Sequence, residues 1–334
     1  MSKPLHHIIE AMFQQWFVNI GKRAGWMFLF CAMVLVASCD CQDLYTVDDV
    51  TAKVVCEVDW SAAKERPTGM TLMFYPVDGG APYVTTTNSV DRAYVAIPAG
   101  VYNVFLFNQS VNEYNSVSFS GLDKWETIGI SAADCRAPSW SALSGFSYSP
   151  THVYVSVVRN FEFDGVKDAI LRAAPQGIVY ETVLKVQLKG AKYVRSVRGV
   201  LSGVAKTYYP TREMAGEATT RHALEKWTIV PEQPGDSVGY IVTSLTTLGV
   251  GGSLSLETTV AAELEFLLVD DKTTLSHNYN IAPSLIIAPT EMTISASVDE
   301  TLPIPEVEDA STKNAGFDVS MNSWSAPHII DLKF

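Results

Sequence analysis

The sequence predicts an all-β protein built as two tandem antiparallel β-sandwiches. Three observations predict it. Apolar and polar residues alternate along most of the chain, turn residues interrupt the alternation at short intervals, and helical periodicity is nearly absent. Short strands of this kind each carry one face that must be buried against a second sheet, which is the economy of a sandwich.

The first segment stands outside that pattern. Lys22 and Arg23 precede about a dozen mostly apolar residues, 24–36, the profile of a signal h-region. The run falls short of the roughly 20 apolar residues that a spanning helix needs. It ends in Val36-Ala37-Ser38-Cys39, small residues before a cysteine, which reads as the cleavage and lipidation site of a bacterial lipoprotein signal. Cleavage between Ser38 and Cys39 makes Cys39 the first mature residue and the acceptor of the acyl chains. Residues 1–21 form a long n-region, and a start at Met12 would leave the mature chain unchanged. The competing reading is an ordinary signal peptide or membrane anchor in which Cys39 is incidental. The order Val-Ala-Ser-Cys at that place favours lipidation.

Charge narrows the partners. The 334 residues carry a formal charge of −12; removing residues 1–38 takes away Lys3, Lys22, Arg23 and Glu10 and leaves −14. Nucleic acid requires a basic footprint, and no cluster of Lys or Arg supplies one. Membrane attachment must therefore come from lipid rather than from a polybasic patch. Residues 40–49 form an acidic tether. Of the five cysteines, Cys41, Cys56 and Cys135 remain after the signal and Cys39 are set aside. One disulfide, Cys56 with Cys135, suits an oxidising compartment; buried free thiols are the equal alternative.

The strands then follow in order. Val54, Cys56, Val58 and Trp60 alternate with Val55, Glu57 and Asp59 and give a first strand with one apolar face. Residues 70–75 are a second, stopped by Pro76 and turned by Asp78-Gly79-Gly80. Residues 92–97 are a third, and Pro98-Ala99-Gly100 leads into 101–107, apolar on both faces except for Asn103. A strand of that kind belongs in the middle of a sheet. Weaker candidates lie at 117–119, 125–130 and 152–158. Val166, Ala169 and Ile170 fit a short helix in 163–174, ended by Pro175-Gln176-Gly177, and the domain boundary is placed there: 51–174 for the first sandwich, 175–334 for the second. The second opens with 178–188 and continues at 193–201, 227–230 and 240–245. Its clearest hairpin is 258–280: Val260, Ala262, Leu264, Phe266 and Leu268 line one face, and Asp270-Asp271-Lys272 turns the chain. Met292, Ile294, Ala296 and Val298 make another amphipathic strand. A loop of some twenty residues, opening with Leu302-Pro303-Ile304-Pro305, precedes an apolar terminal strand carrying Ile329, Ile330, Leu332 and Phe334. That strand either completes its own sheet or pairs with the edge of another molecule.

No catalytic constellation emerges. His6 and His7 leave with the signal and the other histidines sit apart, no His-x-x-x-His pair offers a metal site, and Gly249-Val250-Gly251-Gly252 lacks the lysine and helix of a phosphate loop, so it reads as a hairpin turn. Neither enzyme, metal nor cofactor is expected. The aromatic residues lie mostly on alternating strand positions, where packing explains them.

Two runs in the first half, 67–76 (Pro-Thr-Gly-Met-Thr-Leu-Met-Phe-Tyr-Pro) and 97–104 (Ile-Pro-Ala-Gly-Val-Tyr-Asn-Val), together resemble the N-terminal domain of fimbrillin-like, fimbrium-anchoring lipoproteins of Bacteroidales. Residues 183–190, 194–203 and the hairpin 264–280 are similar to the second domain of that group. The resemblance implies two transthyretin-like sandwiches on an outer-membrane, lipid-anchored protein of a fimbria-like adhesion system. It further implies other fimbrillin-like subunits as partners, and a role as anchor, stalk or tip. Stalk subunits of the group are trimmed by an arginine- or lysine-specific protease after the first strand, where this chain has Lys64 and Arg66; anchors keep their lipid and complete their own fold. The expected function is therefore an anchor or accessory subunit joined through strand edges. A surface glycan-binding lipoprotein using exposed aromatics, with a host or glycan ligand, is the alternative.

Overall fold

In a computed structural model of the protein, the described residues are 52–251 and 260–313. Twenty-three strands, β1 to β23, make five sheets. The first run is β1 (Val54–Val58), β2 (Met70–Pro76), β3 (Tyr83–Thr87), β4 (Arg92–Val95), β5 (Gly100–Asn108), β6 (Val117–Ser120) and β7 (Gly129–Ala132). Next come β8 (Asp134–Cys135), β9 (Phe146–Ser147), β10 (Tyr154–Phe163), β11 (Ala169–Ala173), β12 (Gln176–Gly177), β13 (Tyr180–Lys189) and β14 (Val194–Ala205). Then β15 (Thr207–Tyr209), β16 (Met214–Ala215), β17 (Thr219–Leu224), β18 (Thr228–Val230) and β19 (Gly239–Thr247) follow. The last are β20 (Ala261–Leu268), β21 (Thr274–Asn280), β22 (Leu285–Ala288) and β23 (Thr293–Pro303).

The sheet orders are β11-β1-β4, β12-β10-β5-β2-β3, β16-β15-β7-β6, β21-β20-β14-β17-β9-β8 and β18-β19-β13-β23-β22. β5 lies in the middle of its sheet between β10 and β2, as its two apolar faces require. Its side chains divide by parity. Tyr102, Val104 and Leu106 join Leu72, Phe74, Val54, Cys56 and Leu171 in one core, against the three-stranded sheet. Phe105 and Phe107 join Met73, Tyr75, Ile130 and Val117 in a second core, against the four-stranded sheet. The first half is thus three layers thick, and its middle sheet is covered on both faces.

A third core lies between the six-stranded sheet and the second five-stranded sheet. Leu184, Val186 and Leu188 of β13 and Ile294 and Ala296 of β23 face Val197 and Leu201 of β14 and Leu264, Phe266 and Leu268 of β20. The hairpin read in 258–280 is present as β20–β21, registered from Ala261↔Asn280 to Leu267↔Thr274. Asp271 takes φ 57° in its turn, and the Asp270 carboxylate accepts hydrogen bonds from the Lys272 and Thr273 amides.

The short helix expected in 163–174 is not formed. β10 runs to Phe163, and β11 occupies Ala169–Ala173 as a strand. Its burial alternates with period two, Leu171 and Ala173 inward and Ile170 and Arg172 outward, while Val166 is 80% exposed. Three apolar residues at helical spacing lost to a full ladder with β1. Leu302 and Pro303 also belong to a strand, the end of β23, rather than to the following loop. Gly249 and Gly251 do more than turn the chain: the Ala205 amide donates to Gly249 O (3.0 Å), and Val250 bridges Val204. The terminal strand bearing Ile329, Ile330, Leu332 and Phe334 lies outside the described residues.

The two halves also exchange strands. β15 and β16, from the second half of the sequence, extend the sheet of β6 and β7 through Thr207↔Ser131 and Tyr208↔Ile130. β8 and β9, from the first half, extend the sheet of β17 through Arg221↔Phe146. Ile178, Val179, Ala205 and Leu248 complete the second core at this junction.

Candidate functional site

The features that the sequence singles out are the segment around Cys39, the loop after the first strand, the cysteines and the strand edges. Ser38 and Cys39, read in the sequence as a cleavage and lipidation pair, lie outside the described residues. β1, which follows the tether, is the central strand of the three-stranded sheet, with β4 antiparallel on one side and β11 parallel on the other. Val54 and Cys56 are fully buried, so the chain fills its own groove at this place. The strand is secured at its far end by Trp60, whose indole N–H donates to Val90 O at 2.8 Å.

The loop after β1 carries Lys64 and Arg66, and both are engaged. The Lys64 amide donates to the Tyr154 hydroxyl (2.9 Å), its ammonium lies 3.5 Å from Glu181, and Arg66 pairs with Asp91. Both ion pairs are exposed, so each contributes on the order of 0–1 kcal/mol.

The Cys56–Cys135 disulfide is not formed. Both thiols are free: Cys56 sits in the first core on β1, and Cys135 is half-buried on β8 in the six-stranded sheet. Burial, reinforced by Glu57, pushes the Cys56 thiol up to about 12, so it stays protonated and acts as a small apolar side chain. Burial and Asp134 raise the Cys135 thiol as well.

The edges are uneven. β3 and β22 are edge strands without a charged residue, Tyr-Val-Thr-Thr-Thr and Leu-Ile-Ile-Ala, and they expose Val84 (56%) and Ile286 (67%). Such edges leave backbone N–H and C=O groups open to another strand. At the junction of the halves a cleft of about 600 Å³ is bounded by Glu65, Arg66, Glu113, His152 and Thr246. Its buried Asn108 accepts from the Tyr154 amide (2.8 Å) and the Tyr114 hydroxyl (2.9 Å), which ties backbone together rather than poising a catalytic group. Tyr94 and Tyr148, the aromatics more than half exposed, lie apart: Tyr94 on β4, Tyr148 just past β9 of the six-stranded sheet. Among the described residues no cluster of His, Cys, Asp and Glu is arranged to hold a metal, and no helix is long and apolar enough to cross a membrane.

His222 on β17 is 1% exposed. Its Nδ1–H donates to Ser147 O (2.9 Å), which holds β9 against β17, and its Nε2 has no hydrogen-bond partner. Burial lowers its pKa to about 4, and Lys206 adds to the shift. The folded state therefore binds fewer protons than the unfolded one between about pH 4 and 6.5. This contribution is fully present above pH 6.5 and is lost as pH falls towards 4, to a total of roughly 3 kcal/mol. Melting temperatures measured at pH 7 and pH 5 should show a smaller drop in His222→Asn than in the unaltered protein; an equal drop would remove His222 as the cause.

The comparisons with known proteins agree with this architecture. A family model described as "Domain of unknown function (DUF5119)" matches residues 38–225, more than half of the chain. The chain belongs to that family. The match begins at Ser38. The chain is also 24% identical over 191 residues to a Bacteroides ovatus protein named "Putative fimbrium anchoring subunit Fim4B", with 56% of this chain and 55% of that protein aligned. The alignment thus spans about half the relative's length. A crystal structure of a Bacteroides ovatus protein named "putative adhesin" superposes with a TM-score of 0.59 at 18% identity, covering 77% of this chain and 93% of that one. A second "putative adhesin", from Bacteroides thetaiotaomicron, gives 0.52 at 9% identity, covering 75% and 91%. The likeness to the two solved structures confirms the all-β fold. The relatives' names describe fimbrial and adhesive surface proteins, not enzymes.

Neither strand exchange was foreseen. β8, β9, β15 and β16 are two or three residues long, too short to show periodicity. The one cue in the sequence is Phe146, an apolar residue outside the predicted strands.

Proposed function

We propose that this chain is an outer-membrane lipoprotein, acylated on Cys39, that serves as an anchor or accessory subunit of a fimbria-like adhesive structure and joins its neighbours through β-strand edges. The observation that carries the reading is the likeness to the Fim4B protein over 191 residues. Val36-Ala37-Ser38-Cys39 at the head of the family match supports it. The internal β1, buried on its inner face, suits a subunit that retains its first strand rather than surrendering it to a neighbour. Attachment to the next subunit is then left to an edge such as β22, to β3, or to the terminal strand. Added strands gain main-chain hydrogen bonds and place alternate side chains in the groove.

The test is a truncation lacking residues 329–334, with surface cross-linking to fimbrial subunits as the readout. The expected result is loss of the cross-linked partner or of the folded second half. A folded truncation that still assembles would remove the terminal strand from the mechanism.

A further inference from the structure

Two strand pairs are parallel over their whole length. β1 runs beside β11 from Val54↔Ala169 to Val58↔Ala173, and β13 runs beside β23 from Glu181↔Thr293 to Lys189↔Pro303. Apart from a single bridge between β9 and β17, the other strand pairings among the described residues are antiparallel. Each parallel pair joins the opening strand of a half to a late strand of the same half.

Parallel pairing fixes how such strands respond to a pull. The N-terminal end of one strand and the C-terminal end of its partner lie at opposite ends of the ladder. Tension applied to those two ends slides the strands past each other and strains all their hydrogen bonds together. Tension applied at the same end opens the bonds one after another.

The chain enters β1 at Val54 and leaves β11 at Ala173. The second half begins at the C-terminal end of that pair: the Asp59 amide donates to Ala173 O (2.9 Å), and Lys64 reaches Glu181 at the start of β13. The opposite end of β13 is closed by Gly190 at φ 93° and by the Ile304 amide, which donates to Lys189 O at 2.8 Å. Glu232, in the loop between β18 and β19, accepts from the Gly190 and Ala191 amides at that same end.

We infer that the parallel pair β1–β11 is a tension clamp, which holds when the chain is pulled from the N-terminal end of β1 against the second half. This rests on the reading of Cys39 as the membrane anchor, because that reading puts the pull at the N-terminal end of β1. Sliding is resisted by side chains as well as by hydrogen bonds. On the outer face Glu57 lies 3.8 Å from Arg92 and 3.6 Å from Arg172, a row across all three strands. On the inner face Val54 and Cys56 are fully buried, and a one-residue slip would turn Glu57 into the core. The strand exchange ties the second half to the first beyond the covalent link after β11.

Single-molecule force spectroscopy on the purified, unacylated chain from residue 39 tests the inference. One handle is placed ahead of Cys39. The second is placed in the turn 233–236, which shears β1, or after Val166, which unzips β1 from its N-terminal end. A third site, after the exposed Ala99, gives the unzipping geometry independently, since a Cβ on Gly165 would lie only 3.0 Å from the Ala99 side chain. The rupture force in the shearing geometry is expected to exceed both unzipping forces by about twofold or more, because forced unfolding follows the barrier that must be crossed at once. Equal forces in the shearing geometry and in either unzipping geometry would overturn the inference. The chain carries no lipid in this experiment, so that outcome would leave membrane anchoring untouched. Failure of anchoring is read separately, from the membrane retention of Cys39→Ala.

Discussion

Phe105→Ala lowers the stability of the folded chain by about 3–5 kcal/mol, the cost of emptying a fully buried aromatic site. Phe105 is fully buried on β5, in the middle of a sheet covered on both faces, and its ring lies 5.3 Å from that of Phe107. The layers on either side are sheets held by their own ladders, so neither can collapse into the space. For a domain of this size the loss corresponds to a fall in melting temperature on the order of 10 °C. Val84→Ala, on the exposed edge strand β3, is expected to stay within about 0.5 kcal/mol. Thermal unfolding of the two variants side by side is the check. A Phe105→Ala protein that melts with the unaltered one would contradict the three-layer core.

The parts of the fold that could be read from the sequence are those whose burial is periodic and local. β5 announces its place because residues of both parities are apolar, and β20 does so because Ala262, Leu264, Phe266 and Leu268 alternate with Glu263 and Glu265. β11 defeated the same reasoning: Ile170 is apolar yet faces outward, beside Val55, while Ala173, barely apolar, faces the core. What decides its conformation is a ladder with β1, more than a hundred residues earlier, and periodicity carries no information about that. The strand exchange was hidden for a related reason. Thr207↔Ser131 and Arg221↔Phe146 are pairings between elements too short to be seen alone.

The candidate site divides in the same way. Lys64 and Arg66 are visible as basic residues after the first strand, but their partners Glu181 and Asp91 are set by tertiary structure. The Cys56–Cys135 pairing came from counting cysteines, with free thiols as the equal alternative; both thiols are free, Cys56 inside the first core and Cys135 on an edge strand of the six-stranded sheet. His222 looked isolated in the sequence because its one hydrogen-bond partner is a backbone carbonyl of β9.

Cys39→Ala carries the largest expected effect on function. In the proposed anchoring Cys39 supplies the thiol that takes the lipid, and no basic patch in this acidic sequence would substitute for it at an anionic membrane. Each buried methylene of an acyl chain contributes about 0.8 kcal/mol, and more than one chain is needed for stable anchoring, so losing the acceptor removes the whole of that attachment. The substitution lies fifteen residues ahead of Val54, the first residue of β1, and the released protein should keep its melting temperature. Fractionation of cells expressing the unaltered chain and Cys39→Ala, with the mature N-terminal peptide examined by mass spectrometry, measures this directly. The account predicts an acylated N-terminal Cys39 in the outer membrane for the first and a soluble, unacylated chain for the second. Membrane retention of Cys39→Ala, or a mature N-terminus other than Cys39, would contradict it.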